Sequence, residues 1–187
     1  MKKKFVDPTT FAEVEGNLKL SKSKWREIKK IYSISPEGRK KLKNIFSIEA
    51  ECIYFGSVEP AVVVSMSPLL ISVYSEDMDA VLLLQFAPAY AEKYSLEIGS
   101  RLISVNTYGN HDKISDDIFV GKAYKGYWTD FTPHIADFLS NDKKRIQAHK
   151  ESFSEEHWLY VQELGNEYLS KHSQLARNGF WFIKKRL

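Results

Sequence analysis

His111, Asp112, Asp116 and Asp117 fall within seven residues, and Asp130 and His134 follow soon after. Imidazole and carboxylate groups at this density can hold a divalent cation or act as acid and base. Ser104, Asn106 and Tyr108 stand just upstream. Together these residues make 104–134 the place where a small enzyme with a His/Asp site could be built. The spacing argues the other way. Neither HExxH nor the EF-hand pattern occurs. His149, His157 and His172 are spaced by eight and fifteen residues, so no pair lies one helical turn apart. No metal is expected, and solvated loop charge is the default reading.

Cys52 is the single cysteine, so no internal disulfide can form and a reducing compartment is the natural setting. A catalytic thiol needs a lowered pKa and access to solvent. Cys52 runs directly into Ile53, Tyr54 and Phe55, which points to a buried core thiol instead. The patterns GxxxxGK[ST], GxGxxG and GxSxG are absent. P-loop NTPase, Rossmann dehydrogenase and serine hydrolase are therefore disfavoured, and no cofactor is expected.

Net charge is only +3, but its distribution is uneven: +8 over residues 1–45, −9 over 46–142 and +4 over 143–187. The basic flank holds Lys22, Lys24, Arg26, Lys29, Lys30, Arg39, Lys40, Lys41 and Lys43 beside Trp25 and Tyr32. It could track a phosphate backbone as a nucleic-acid-binding module. Without a helix-turn-helix or RNP signature, core-facing aromatics are preferred and nucleic acid is an unlikely partner.

The acidic middle carries more weight. Glu76, Asp77 and Asp79 share one turn, Asp112, Asp116 and Asp117 share the later loop with Asp130 beyond, and Glu49, Glu51 and Glu59 lie upstream. If they converge, the surface suits a cationic partner and speeds its capture. The expected function is a non-catalytic protein-binding domain, most concretely an immunity-type inhibitor that sequesters a bacterial toxin or effector. Its partner-binding residues would be Glu76, Asp77, Asp79, Asp112, Asp116 and Asp117.

Lys2, Lys3 and Lys4 resemble the start of a signal peptide, but Asp7 and Pro8 follow at once and leave no apolar region. No run approaches the ~18 apolar residues of a membrane helix. A cytoplasmic protein without membrane contact is expected, with its oligomeric state open.

These residues need a scaffold. Apolar runs CIYF, AVVVSM, LLISVY and AVLLLQF, starting at Cys52, have strand composition. Their gaps are too short for crossover helices. The expectation is one α+β domain over 1–187. Its sheet, over residues 52–120, is mostly antiparallel, with about five or six strands, packed with N-terminal and C-terminal helices. An arm spans 1–20, with Phe11 and Val14 as a short edge element. A basic helix pair spans 21–50, capped by Ser21 or Ser23 and then by Ser35, Pro36 and Glu37. Pro60 and Pro68 belong at strand starts or breaks. RLISVNTY is a further strand, and Ile118 to Val120 a short one inside the loop 109–130.

C-terminal helices span 131–175. Thr132 and Pro133 open one that ends near Lys150, and Ser152 with Glu155 opens the last, with Trp158, Val161, Leu164 and Tyr168 inward. Gly165 suggests close packing. Phe180, Trp181, Phe182 and Ile183 form either a final strand or an apolar tail.

Overall fold

The computed structural model describes residues 3–6, 12–32, 34–172 and 175–183, the side chains at 37 and 39 excepted. Phe11 and the contribution of Glu37 to its helix end lie outside the described residues. Helices α1 (Lys22–Ile31) and α2 (Pro36–Phe55) precede strands β1 (Ser57–Met66), β2 (Leu69–Ser75) and β3 (Ala80–Phe86). Then come α3 (Ala89–Lys93), β4 (Arg101–Gly109), β5 (Phe119–Val120), β6 (Asp130–Ile135), α4 (Ala136–Leu139), α5 (Lys143–Ser152), α6 (Glu155–Lys171) and β7 (Arg177–Asn178). The fold is α+β. Its seven-stranded sheet runs β5-β3-β2-β1-β4-β6, and β7 pairs with β3. Every pairing is antiparallel except the short β3–β7 one.

The central strands β1, β2 and β3 are buried at nearly every position, so both faces are covered. That explains why they read as continuous apolar runs and not as alternation. Helix α6 packs on β1, β2 and β3. Gly165 makes this close approach possible, since a Cβ there would meet Ser72 Oγ at 2.4 Å. Trp158, Val161, Leu164 and Tyr168 are its buried positions, as their spacing predicts. Ser21 and Ser35 cap α1 and α2 by accepting from the Lys24 and Gly38 amides, with Pro36 at the first helical turn.

Pro60 sits inside the central strand β1, paired with Ile103 of β4, which corrects the expectation of a strand start or break. Pairing with β2 begins only at Ala61, opposite Val73. One more step would set Pro60, which has no N–H, against Tyr74. Asn106 Nδ2 supplies the missing donor to the Tyr74 carbonyl at 2.8 Å. Pro68 follows a cis peptide bond in the β1–β2 turn.

Three other local expectations are corrected. Residues 52–55 are the last turn of α2, not a strand. Buried positions Leu42, Glu49 and Ile53, with half-buried Phe46 between, continue one helical stripe, and this outweighs the β propensity of Ile-Tyr-Phe. The helix stops at Gly56, where a Cβ would lie 2.6 Å from the Asn106 carbonyl. Thr132 and Pro133 belong to strand β6, an edge strand that tolerates a missing donor. Helix structure resumes only at Ala136, and Asp142 caps α5. Ser154, not Ser152, caps α6 by accepting from the His157 amide. Ser152 Oγ instead donates to the His149 carbonyl within its own helix.

The 180–183 segment neither joins the sheet nor hangs free. Phe180 is buried against Tyr32, Phe86 and Tyr90, and Phe182 packs on Trp25. The short strand β7 delivers it there.

Candidate functional site

The six acidic residues expected to form one surface separate. Glu76 and Asp77, on the tip of the β2–β3 hairpin, line a recess with Glu13 and Glu59. Asp116 and Asp117 line a different, shallower one with His111. Asp112 is exposed and belongs to neither.

Asp79 is turned inward. Its Oδ1 accepts from Tyr74 and Tyr160 hydroxyls at 2.9 and 2.8 Å, and its Oδ2 from the Ala123 amide at 2.6 Å. Its carbonyl also receives the Gly121 amide. This carboxylate ties the hairpin turn to the 121–123 loop and to α6. It is saturated and offers a partner nothing. Burial and the Asp79 charge push the Tyr160 hydroxyl up to about 12.

Asp117 is equally committed. Arg177 grips it through two nitrogens at 2.7 and 2.6 Å, reaches Asp130 at 2.8 Å and donates to the Phe131 carbonyl. This bidentate clamp anchors β7. Asp116 pairs with Lys113, both largely in solvent. His111 comes within 3.5 Å of Asp130 but is mostly exposed, and Asp130 already serves Arg177.

Two of the upstream glutamates are structural. Glu51 Oε1 accepts from the amides of Lys4, Phe5 and Val6 at 2.5, 2.5 and 2.8 Å. Burial opposes its ionisation, but these amides hold its carboxyl below the usual range. Glu49 is 1% exposed, lies 3.0 Å from His134 Nδ1 and accepts from Trp181 Nε1. Burial disfavours the charged ring, but Glu49 and the Cys52 thiol outweigh it and raise His134 to about 10. Imidazole and carboxylate in contact, with a thiol nearby, are components of nucleophilic chemistry, although His134 Nε2 itself has no hydrogen-bond partner. Here all three are buried, and none lines any of the three recesses described. The contact locks α2 to β6 and to the 180–183 turn.

Glu59 is different. It lies on β1 opposite Ser104 of β4 and is 2% exposed, yet it forms part of the recess lining. Its Oε1 accepts long bonds from Ser57 and Tyr108, at 3.4 and 3.3 Å. Its Oε2 has no hydrogen-bond partner. Burial first, then the Glu76 and Asp77 charges, hold its carboxyl well above the usual range, against the Glu76 amide and the Tyr108 hydroxyl, which lower it in part. Asp77 is raised too, by burial and by Glu13 and Glu76, while Lys125 and Tyr108 partly offset this. Val14, Val58, Tyr127, Phe153 and His157 complete the wall of a cavity of about 410 Å³. The sequence flagged Glu59 only as one upstream acid, and it missed Glu13, Tyr127 and His157. No linear signal joins residues 13, 59, 76, 127 and 157.

The basic helix pair offers no stacking platform among its described aromatics. Trp25 is buried, and Tyr32 Oη accepts from the Ala87 amide. Lys24 donates to the Asp137 carbonyl, and Lys93 pairs with Glu27.

Among the described residues, no helix is long and apolar enough to cross a membrane. No protein-family model matches the chain, and no curated protein matches it. A crystal structure from Corynebacterium diphtheriae, of a protein described as a candidate membrane protein, is similar at a TM-score of 0.46 and 13% identity. The likeness covers 64% of this chain and 95% of that one, and it is too distant to bear on function.

Proposed function

We propose that this protein is a non-catalytic binding domain that recognises a basic protein partner. Its most concrete form is an immunity-type inhibitor that sequesters a bacterial toxin or effector in the cytoplasm. One observation carries the reading: Glu13, Glu59, Glu76 and Asp77 line a single recess, with Lys125 and His157 as the basic side chains of its described lining. Exposed Val14 and Tyr127 beside them add apolar contact area. Clustered carboxylates around a concavity attract cations and repel anions. Asp79 and Asp117 are spoken for inside the fold, and Asp112 and Asp116 lie outside this recess, so the recognition set narrows to Glu76 and Asp77 at the rim.

The test is kinetic. A partner is first isolated from the native host with the neighbouring reading frames intact. Its association rate is then followed over a salt series for the wild type and for Glu76→Lys with Asp77→Lys. The expected result is a 1:1 complex whose association slows with salt and slows further with the double reversal. An association rate indifferent to both would reject an acidic recognition face.

A further inference from the structure

We propose that the acidic recess is built to receive one arginine side chain of the protein partner, with its guanidinium set among Glu13, Glu59, Glu76 and Asp77. This deepens the reading above and rests on it.

Glu59 carries the argument. A carboxylate withdrawn from water is costly unless it gains strong donors or a counter-charge. The other buried glutamates meet that requirement: Glu49 has His134 and Trp181, and Glu51 has three amides. Glu59 has two long hydroxyl bonds on one oxygen and none on the other. Its backbone is fixed on a central strand, so the residue as a whole cannot move out toward water. Glu76 and Asp77 add like charge to the same place, and the Glu76 amide and Tyr108 offset only part of it. The missing element is a donor that also carries positive charge.

The donor set excludes the simplest candidate. Among the described residues no three His, Cys, Asp or Glu side chains come close enough together to hold a metal ion. Carboxylates spread around a cavity of about 410 Å³ match an organic cation instead. Tyr127, Phe153 and His157 supply ring surfaces on the wall. A guanidinium is planar, weakly hydrated and suited to aromatic faces, and its five N–H donors can serve several carboxylates at once. A lysine ammonium is a strongly hydrated point charge and fits such walls less well. Lys125, exposed at the lining, lies where an incoming side chain would displace it.

The proposal predicts effects of opposite sign for one substitution. Glu59→Gln keeps the shape and removes the group that can become a buried charge. The full chain is titrated at low ionic strength with acetyl-Gly-Arg-Gly-amide, and separately with the neutral citrulline analogue, while amide chemical shifts are followed. Saturable shifts at Glu76, Asp77, Tyr127 and His157 are expected with the arginine peptide alone. Glu59→Gln should weaken that binding roughly tenfold, the size of one charge-assisted hydrogen bond, and should raise Tm. Equal binding of the citrulline peptide overturns the proposal. So does unchanged affinity in Glu59→Gln, or calcium alone producing the same shifts.

The two readings fail separately. A partner that is lost on Glu76→Lys with Asp77→Lys but kept at full affinity by Glu59→Gln sinks the arginine site and spares the acidic face. A partner indifferent to all three changes sinks the face and the partner's arginine with it, and an arginine peptide still bound in the recess would then leave only a site for a free guanidinium.

Discussion

Glu49 and Glu59 are the same residue type, ten positions apart and almost equally buried at 1% and 2% exposed. One sits beside an imidazole and an indole N–H; the other has an oxygen with no donor. A buried carboxylate with a complete set of donors is part of the scaffold. A buried carboxylate without one stores a cost that a ligand can remove. Burial alone does not separate the two cases. The inventory of donors does.

The largest expected effect is on the Glu49 side. His134→Ala leaves the Glu49 charge with Trp181 alone, and removing one partner of a buried pair costs about 3–5 kcal/mol. Urea denaturation should show the loss as a lower midpoint at unchanged m-value. A near-neutral result would mean that the pair is not charged in the folded protein, and the comparison would lose one arm.

Asp79→Ala comes next. It removes an acceptor from two tyrosine hydroxyls and one amide, and a cost of about 3 kcal/mol is expected. Loss of hydrogen-exchange protection around Ala123 should accompany it, because that amide bonds only through this carboxylate among the bonds described.

Glu59→Gln should go the other way and stabilise the protein by about 1 kcal/mol at neutral pH. Its sign with pH follows from the raised carboxyl. The folded protein holds this proton more tightly than the unfolded chain, whose value is near 4.5. The stabilising contribution is full below that pH and is lost as pH rises through the higher folded value. The advantage of Glu59→Gln over wild type should therefore be small in acid and should grow toward neutrality. A constant difference across pH would show that Glu59 is not the strained group.

His134 titrates with the same sign in a higher window. Its contribution is full below 6.5 and fades as pH rises toward about 10. Wild type should lose stability across that range, and His134→Asn should flatten the slope. The smallest effect belongs to the rim: Glu76→Lys should change stability by no more than about 0.5 kcal/mol, since its side chain is in solvent. Partner association should respond far more, and the small stability change should be a gain, because the reversal removes a like charge beside Glu59.

Much of the fold was legible because its signals are local. Ser35 before Pro36 marks a helix start, the mostly polar cluster Ser75 to Asp79 between two apolar runs marks the β2–β3 hairpin, and Ile118 to Val120 marks β5 to within one residue. The misreadings arose where two local signals competed. At Cys52 to Phe55 a β-rich tetrapeptide ends a longer helical stripe, and at Thr132 a cap-like pair lies in an edge strand. The acidic loops were visible as composition, but their fates were not. Asp79 and Asp117 look like Glu76 and Asp77 in a list of charges, and only Tyr160, 81 residues on, and Arg177, 60 residues on, distinguish them.

The chain by itself determined most of the strands and helices and that the middle is acidic, because propensity and capping act between near neighbours. The tertiary structure alone decided which carboxylates are neutralised and which are left facing a recess. That choice depends on donors brought from distant parts of the chain, and a charge has no preferred partner until the backbone places one beside it.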